Sequence, residues 1–127
     1  MGTGLTLRVS TCLEDVMFGD LDTVLTVYTG CDAASATCVA SNDQFCSNQS
    51  TVEFPTVAGE EYYILVYGFF SSDVGPFELT VTEIVPPEND LCQNAISIDL
   101  DSTTTGTITS ATVDDSFEGC PFAIRCK

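Results

Sequence analysis

The sequence contains no histidine and no tryptophan, and only three basic residues, Arg8, Arg125 and Lys127. Without histidine, Ser-His-Asp and Cys-His nucleophilic constellations cannot be built. HExxH, Walker and GxGxxG motifs are also missing. Paired carboxylates of the glycosidase kind have no local spacing signature, so the nineteen Asp and Glu residues neither indicate nor remove them. The expectation is that the chain is not an enzyme. The shortage of cations leaves a formal net charge of −16. Nucleic acids and anionic lipids are bound largely through Lys and Arg, so neither is expected as a partner. No apolar run reaches the roughly 18 residues of a membrane-spanning segment, and no membrane span is expected. Met1 is followed at once by Gly-Thr-Gly, with neither a charged n-region nor an apolar h-region. A mature fragment, or one unit of a longer chain, is therefore expected.

What the sequence does contain is cysteine, seven in 127 residues. Structural zinc sites want close Cys-x-x-Cys pairs, often with histidine. The series Cys12, Cys31, Cys38, Cys46, Cys92, Cys120 and Cys126 does not offer them. Disulfides in an oxidising, extracellular or cell-surface setting are the expectation. The odd count leaves one thiol free or paired outside the chain.

The apolar pattern has the period of strands. Leu5, Leu7 and Val9 alternate with Thr6, Arg8 and Ser10, and DTVLTVY at 22–28 follows an acidic turn. The run YYILVYGFF at 62–70 predicts a central strand covered on both faces. Phe77, Leu79 and Val81 alternate with polar residues, and 95–98 and 104–112 read as two further strands. Residues 31–40 are small and polar and read as a loop. Turn-forming clusters separate these runs at sandwich-like spacing. The fold class expected is all-β, a jelly-roll-like antiparallel β-sandwich, disulfide-bearing, with little or no helix. Pro86 and Pro87 stiffen a segment after a completed strand. That segment reads equally as an inter-module linker at 86–90 or as a loop inside one domain.

Specific motifs go further than composition. NDLCQNAI at 89–96, followed by Gly106-Thr107 and Ala111-Thr112, resembles the opening of secreted bacterial-type β-sandwich modules of the pre-peptidase C-terminal type. The later half of that module resembles what stands at the start of this chain. It comprises LRVSTC at 7–12, DTVLTVYTGC at 22–31, Cys38, NDQFC at 42–46, STVEF at 50–54 and AGEEYYILVYGF at 58–69. The order is circularly shifted: 1–85 is similar to the later half of a module and 91–127 to its opening strands. The aromatic strand that joins these halves in the family is missing. The resemblance therefore implies a sandwich short of one strand, with exposed apolar surface and unpaired backbone groups. Residues 89–127 either close that gap in their own chain or fill it in a neighbouring subunit or repeat.

Candidate sites follow. The expected disulfides are Cys31–Cys38, across a short loop, and Cys12–Cys46, with Cys92, Cys120 and Cys126 unassigned. Asp20, Asp22 and Asp43 lie in predicted turns as oxygen donors for calcium; the competing reading is that Asp22 and Asp43 cap turns. Asp114-Asp115 is a third acidic cluster. Asn48-Gln49-Ser50 is an N-glycosylation sequon, so covalent glycans are a candidate modification. Tyr62, Tyr63, Tyr67, Phe69 and Phe70 read either as sandwich core or as a sugar-stacking platform.

The functional expectation is an extracellular structural or adhesive unit whose partners are copies of itself. It joins head to tail, by strand exchange or tandem linkage, into a filament or surface fibre. The alternative is a polysaccharide- or surface-binding accessory module of a secreted hydrolase. No cofactor is expected beyond calcium or covalent glycan.

Overall fold

A computed structural model of the chain describes residues 1–12, 21–32 and 34–112. Two compact units are present, Met1–Ile84 and Val85–Lys127. The first is an all-β antiparallel sandwich. Its strands are β1 (Thr6–Ser10), β2 (Thr23–Thr29), β3 (Thr37–Asn42), β4 (Thr51–Pro55), β5 (Tyr63–Gly68) and β6 (Thr80–Ile84). They form two three-stranded sheets of order β4-β1-β6 and β3-β2-β5.

Strict alternation decides which side chains meet. In β1, Leu7 and Val9 face inward; register places them beside Phe54 and Val52 of β4. In β2, Leu25 and Val27 face inward beside Val66 and Ile64 of β5. Val9, Leu25, Val27, Val52 and Phe54 form the core cluster, with Leu7, Ala40, Tyr62, Ile64 and Val66 packed around it. Burying each large aliphatic or aromatic side chain contributes about 1.5–3 kcal/mol. Phe54 also meets the Tyr62 ring at 5.3 Å between centroids, and the Tyr62 phenolic oxygen accepts the Val57 N–H at 3.0 Å. Outside the core, Arg8 and Glu53 pair across the strands at 2.6 Å, both well exposed. Pro55 ends β4 on the edge of its sheet, where a missing N–H costs no ladder bond.

The strand covered on both faces is β2, whose first five residues are all buried, not β5. β5 lies at the edge of its sheet. Its outward side chains Tyr63, Leu65 and Tyr67 are 38–51% exposed. A continuous apolar run suits two-sided burial, but here one face is an exposed aromatic surface. β2 tolerates burial despite its threonines because their hydroxyls are bonded, Thr26 to the Ser41 hydroxyl at 3.2 Å and Thr23 to Thr11 at 2.7 Å. The segment read as a loop at 31–40 also needs correction. Thr37 opens β3, which pairs with β2 through a bulge at Val27/Tyr28. That irregularity breaks the simple alternation by which strands are recognised. At the other end, Phe77 and Leu79 precede β6 rather than belonging to it.

Along one side the sandwich is closed, with β3 and β4 running close together. β6 is different. Val81 lies directly opposite Val9 and faces inward, yet is 48% exposed, and the next inward residue is Glu83 opposite Leu7. The core-facing side of β6 is therefore only half covered at Val81.

In the second unit, the described residues 85–112 contain a single 3-10 turn, Cys92–Asn94, and no strand. The expected strands at 95–98 and 104–112 are thus not formed. Their alternation is present, but a strand needs a ladder partner, and these segments have none among the described residues. Asp90 closes this stretch: its carboxylate accepts the Thr112 N–H at 2.8 Å and also the Thr112 hydroxyl.

Candidate functional site

One end of the sandwich is locked by a buried polar cluster. The Ser50 N–H donates to the Thr11 hydroxyl at 3.0 Å, and the Thr11 N–H donates to the Ser50 carbonyl at 2.9 Å. The Ser50 hydroxyl donates to the Thr23 carbonyl at 2.5 Å, while the Thr23 N–H reaches the Asn48 carbonyl at 2.9 Å. Thr11, Thr23 and Ser50 are all essentially inaccessible. The next residue, Cys12, is bonded to Cys46 as expected, with a Cα–Cα separation of 6.1 Å.

The other expected disulfide is not made: Cys31 and Cys38 are both exposed free thiols, as is Cys92. Cys38 flanks Tyr28 from β3, whereas Tyr63 flanks it from β5. Cys31 lies near Tyr63 and contributes to raising its pKa, behind the larger effect of the Glu61 carboxylate to which the phenol donates. Cys38 is held in the β3 ladder opposite Tyr28, whereas Cys31 lies past the end of β2, so the two are not set as a facing pair. Cys120 and Cys126 lie outside the described residues, as do Asp20 and Asp114-Asp115.

Asp22 immediately precedes β2 and Asp43 immediately follows β3. Among the described residues no group of three acidic, cysteine or histidine side chains converges on a metal position. One carboxylate oxygen of Asp22, Oδ1, is buried without a hydrogen-bond partner among the described residues. The carbonyl of the same residue accepts the Phe69 N–H at 3.0 Å. Asn48 of the sequon is half-buried, and its Ser50 hydroxyl is held inside the polar cluster.

The outer face of the β3-β2-β5 sheet carries a concave feature. A cleft of about 390 Å³ is lined by Val24, Ser41, Asn42, Asp43, Tyr67 and Phe69. Register assembles it. Tyr67 sits opposite Val24 on β5, Ser41 lies opposite Thr26 on β3, and Asn42 ends β3. Val24 is 7% exposed and forms the floor, while Tyr67 and Phe69 stand 47% and 48% exposed as one wall. The Asn42 side-chain oxygen accepts the Gln44 N–H at 2.9 Å, which fixes the amide and leaves its nitrogen as donor. Asp43 has no partner among the described residues. Tyr67 and Phe69 were singled out by the aromatic run, but nothing local in the sequence connects them with 41–43. That link depends on β2 lying between β3 and β5.

Phe69 is held in place by its neighbours. A Cβ on Gly68 would lie 2.1 Å from the Asp73 carbonyl oxygen, so the tight turn after β5 requires glycine there. The Phe70 N–H donates to the Asp73 carboxylate at 2.7 Å, and the Phe69 and Phe70 rings meet edge to face at 4.7 Å. No described helix is long and apolar enough to cross a membrane. No family model, curated protein or solved structure matches the chain.

Proposed function

We propose that the chain is an extracellular structural unit that polymerises by strand exchange, in the manner of a circularly shifted module of the pre-peptidase C-terminal type. The observation that carries this reading is a strand pattern without a ladder. Ile96, Ile98 and Leu100 recur at period two in Ile-Ser-Ile-Asp-Leu and are 50%, 67% and 94% exposed. Meanwhile β6 is an edge strand whose inward Val81 is half uncovered. An edge with free N–H and C=O groups beside uncovered apolar surface is the usual acceptor for an added strand. Residues 95–100 supply a donor with apolar side chains on one face. When the donor belongs to the next copy, the contact is heterologous and propagates as an open filament. Exposed Cys31, Cys38 and Cys92 are available for cross-links between units.

The test is negative-stain microscopy of native material beside sizing under non-reducing denaturation. Filaments, or a ladder at multiples of 13.5 kDa, are expected, and Ile98→Asp is expected to abolish the filaments while leaving the Cys12–Cys46 bond in place. A uniform monomer would sink the reading.

A further inference from the structure

We propose that the cleft between Tyr67 and Phe69 on one side and Ser41 and Asp43 on the other binds a neutral pyranose unit of a polysaccharide. The occupant is chosen by three properties of the walls. The first is shape: about 390 Å³ falls in the range of ~300–1,000 Å³ typical of small-molecule sites. It is open to solvent along the sheet, which suits one residue of a longer chain rather than an engulfed metabolite.

The second property is the pairing of surfaces. Tyr67 and Phe69 offer aromatic faces with negative quadrupoles. The C–H groups on one face of a pyranose ring carry slight positive charge and lie flat against such surfaces. Opposite them stand the Ser41 hydroxyl, which shares the outer face with Val24 and Tyr67, and the Asp43 carboxylate, which has no partner among the described residues. A donor and a charged acceptor side by side match a pair of vicinal hydroxyls, which both accept and donate. An apolar peptide side chain would leave the Asp43 carboxylate dry and unsatisfied.

The third property is charge. The only basic side chain among the described residues is Arg8, and it is engaged with Glu53 on the other sheet. With a net charge of −16 and Asp43 in the wall, the site repels phosphate, sulfate and uronate groups. A lone carboxylate is equally short of the six to eight oxygens that calcium takes. What remains is neutral and rich in hydroxyls. The walls need little rearrangement, since Phe69 is anchored through Asp22, Gly68 and Asp73, and Ser41 through the Thr26 hydroxyl. Such preorganisation lowers the cost of binding.

This inference is independent of strand exchange, and a monomeric chain would retain the cleft. The test is an amide NMR titration of the full chain with cellohexaose, xylohexaose and mannohexaose, and with oligogalacturonate as the anionic control. Saturable shifts confined to Val24, 41–43 and 67–69 are expected from at least one neutral probe. Tyr67→Ala and Asp43→Ala are each expected to weaken that binding ~10-fold or more, about 1.4 kcal/mol by the affinity relation. Both side chains are exposed, so an unchanged spectrum elsewhere verifies that the fold persists. The proposal is overturned by the absence of saturable shifts at millimolar neutral saccharide, or by shifts mapping to another face. It is equally overturned if both variants bind as well as the parent, or if the anionic control binds as well as the neutral probes.

Discussion

The hydroxyl of Thr11 sits 2.7 Å from that of Thr23, joining the residue after β1 to the first residue of β2 across the interior of the sandwich. Around that contact the two sheets are held by polar bonds rather than by apolar packing. Thr11→Val keeps the shape but strands the Ser50 N–H and the Thr23 hydroxyl in a dry site. The expected loss is about 1–3 kcal/mol, read from the urea midpoint, with Thr11→Ser retaining most of the stability. A Thr11→Val midpoint equal to that of the parent would show that the cluster is solvated.

The Cys12–Cys46 bond spans 34 positions in the chain. Chain-entropy arguments give such a loop about 4 kcal/mol of stabilisation. Replacing both cysteines by alanine should lower the unfolding free energy by an amount of that order, measured by denaturant titration. Reducing agent should lower the parent's melting temperature and leave the double variant unaffected.

The Asp32 carboxyl is held below its usual value of 3.8, first by the Ser35 hydroxyl and then by the Ala34 and Ser35 N–H groups. A depressed carboxyl stabilises the folded turn above 3.8 and loses that contribution as pH falls through the lower folded value. Protection of the Ser35 amide against hydrogen exchange, corrected for the intrinsic rate, should therefore be steady near neutrality and collapse in acid. Asp32→Asn should remove that pH dependence. Persistence of protection well below the folded value would contradict the assignment.

Gly68→Ala would drive a methyl group into the Asp73 carbonyl. Overpacking of this kind costs about 1–3 kcal/mol, and relief requires the turn carrying Phe69 to shift. Melting by circular dichroism should fall, with amide shifts concentrated at 68–74. Unchanged stability would mean that this turn is freely adaptable.

Much of the sandwich was legible because period-two alternation is a local property. LRV at 7–9 and TVLTV at 23–27 declared β1 and β2 through β-branched residues on alternate faces. What stayed hidden depends on partners distant in sequence. YYILVYGFF has the composition of a buried strand, yet its position at a sheet edge follows from β2 pairing with both β3 and β5. Likewise Ile96-Ser97-Ile98 carries a strand pattern, but it joins no ladder among the described residues. The Cys12–Cys46 bond agrees with the sequence expectation, while Cys31 and Cys38 do not pair, Cys38 being held in the β3 ladder and Cys31 lying beyond the end of β2. In the cleft, the aromatic wall is visible as a run, whereas its polar wall, Ser41 to Asp43, stands at the end of β3, whose residues 37–40 belong to a small, polar stretch with the composition of a loop.

The committed hydroxyl of Ser50 has a consequence in time. Enzymes that read an Asn-x-Ser sequon engage the serine hydroxyl, and here that group is withdrawn once β2 and β4 close around it. In a host that glycosylates such sequons, sugar transfer to Asn48 and closure of the sandwich would therefore compete during synthesis. In a host that reads the sequon, the occupied fraction would act as a clock for folding. It would rise when closure is delayed, as in Thr11→Val, and fall when disulfide formation is hastened.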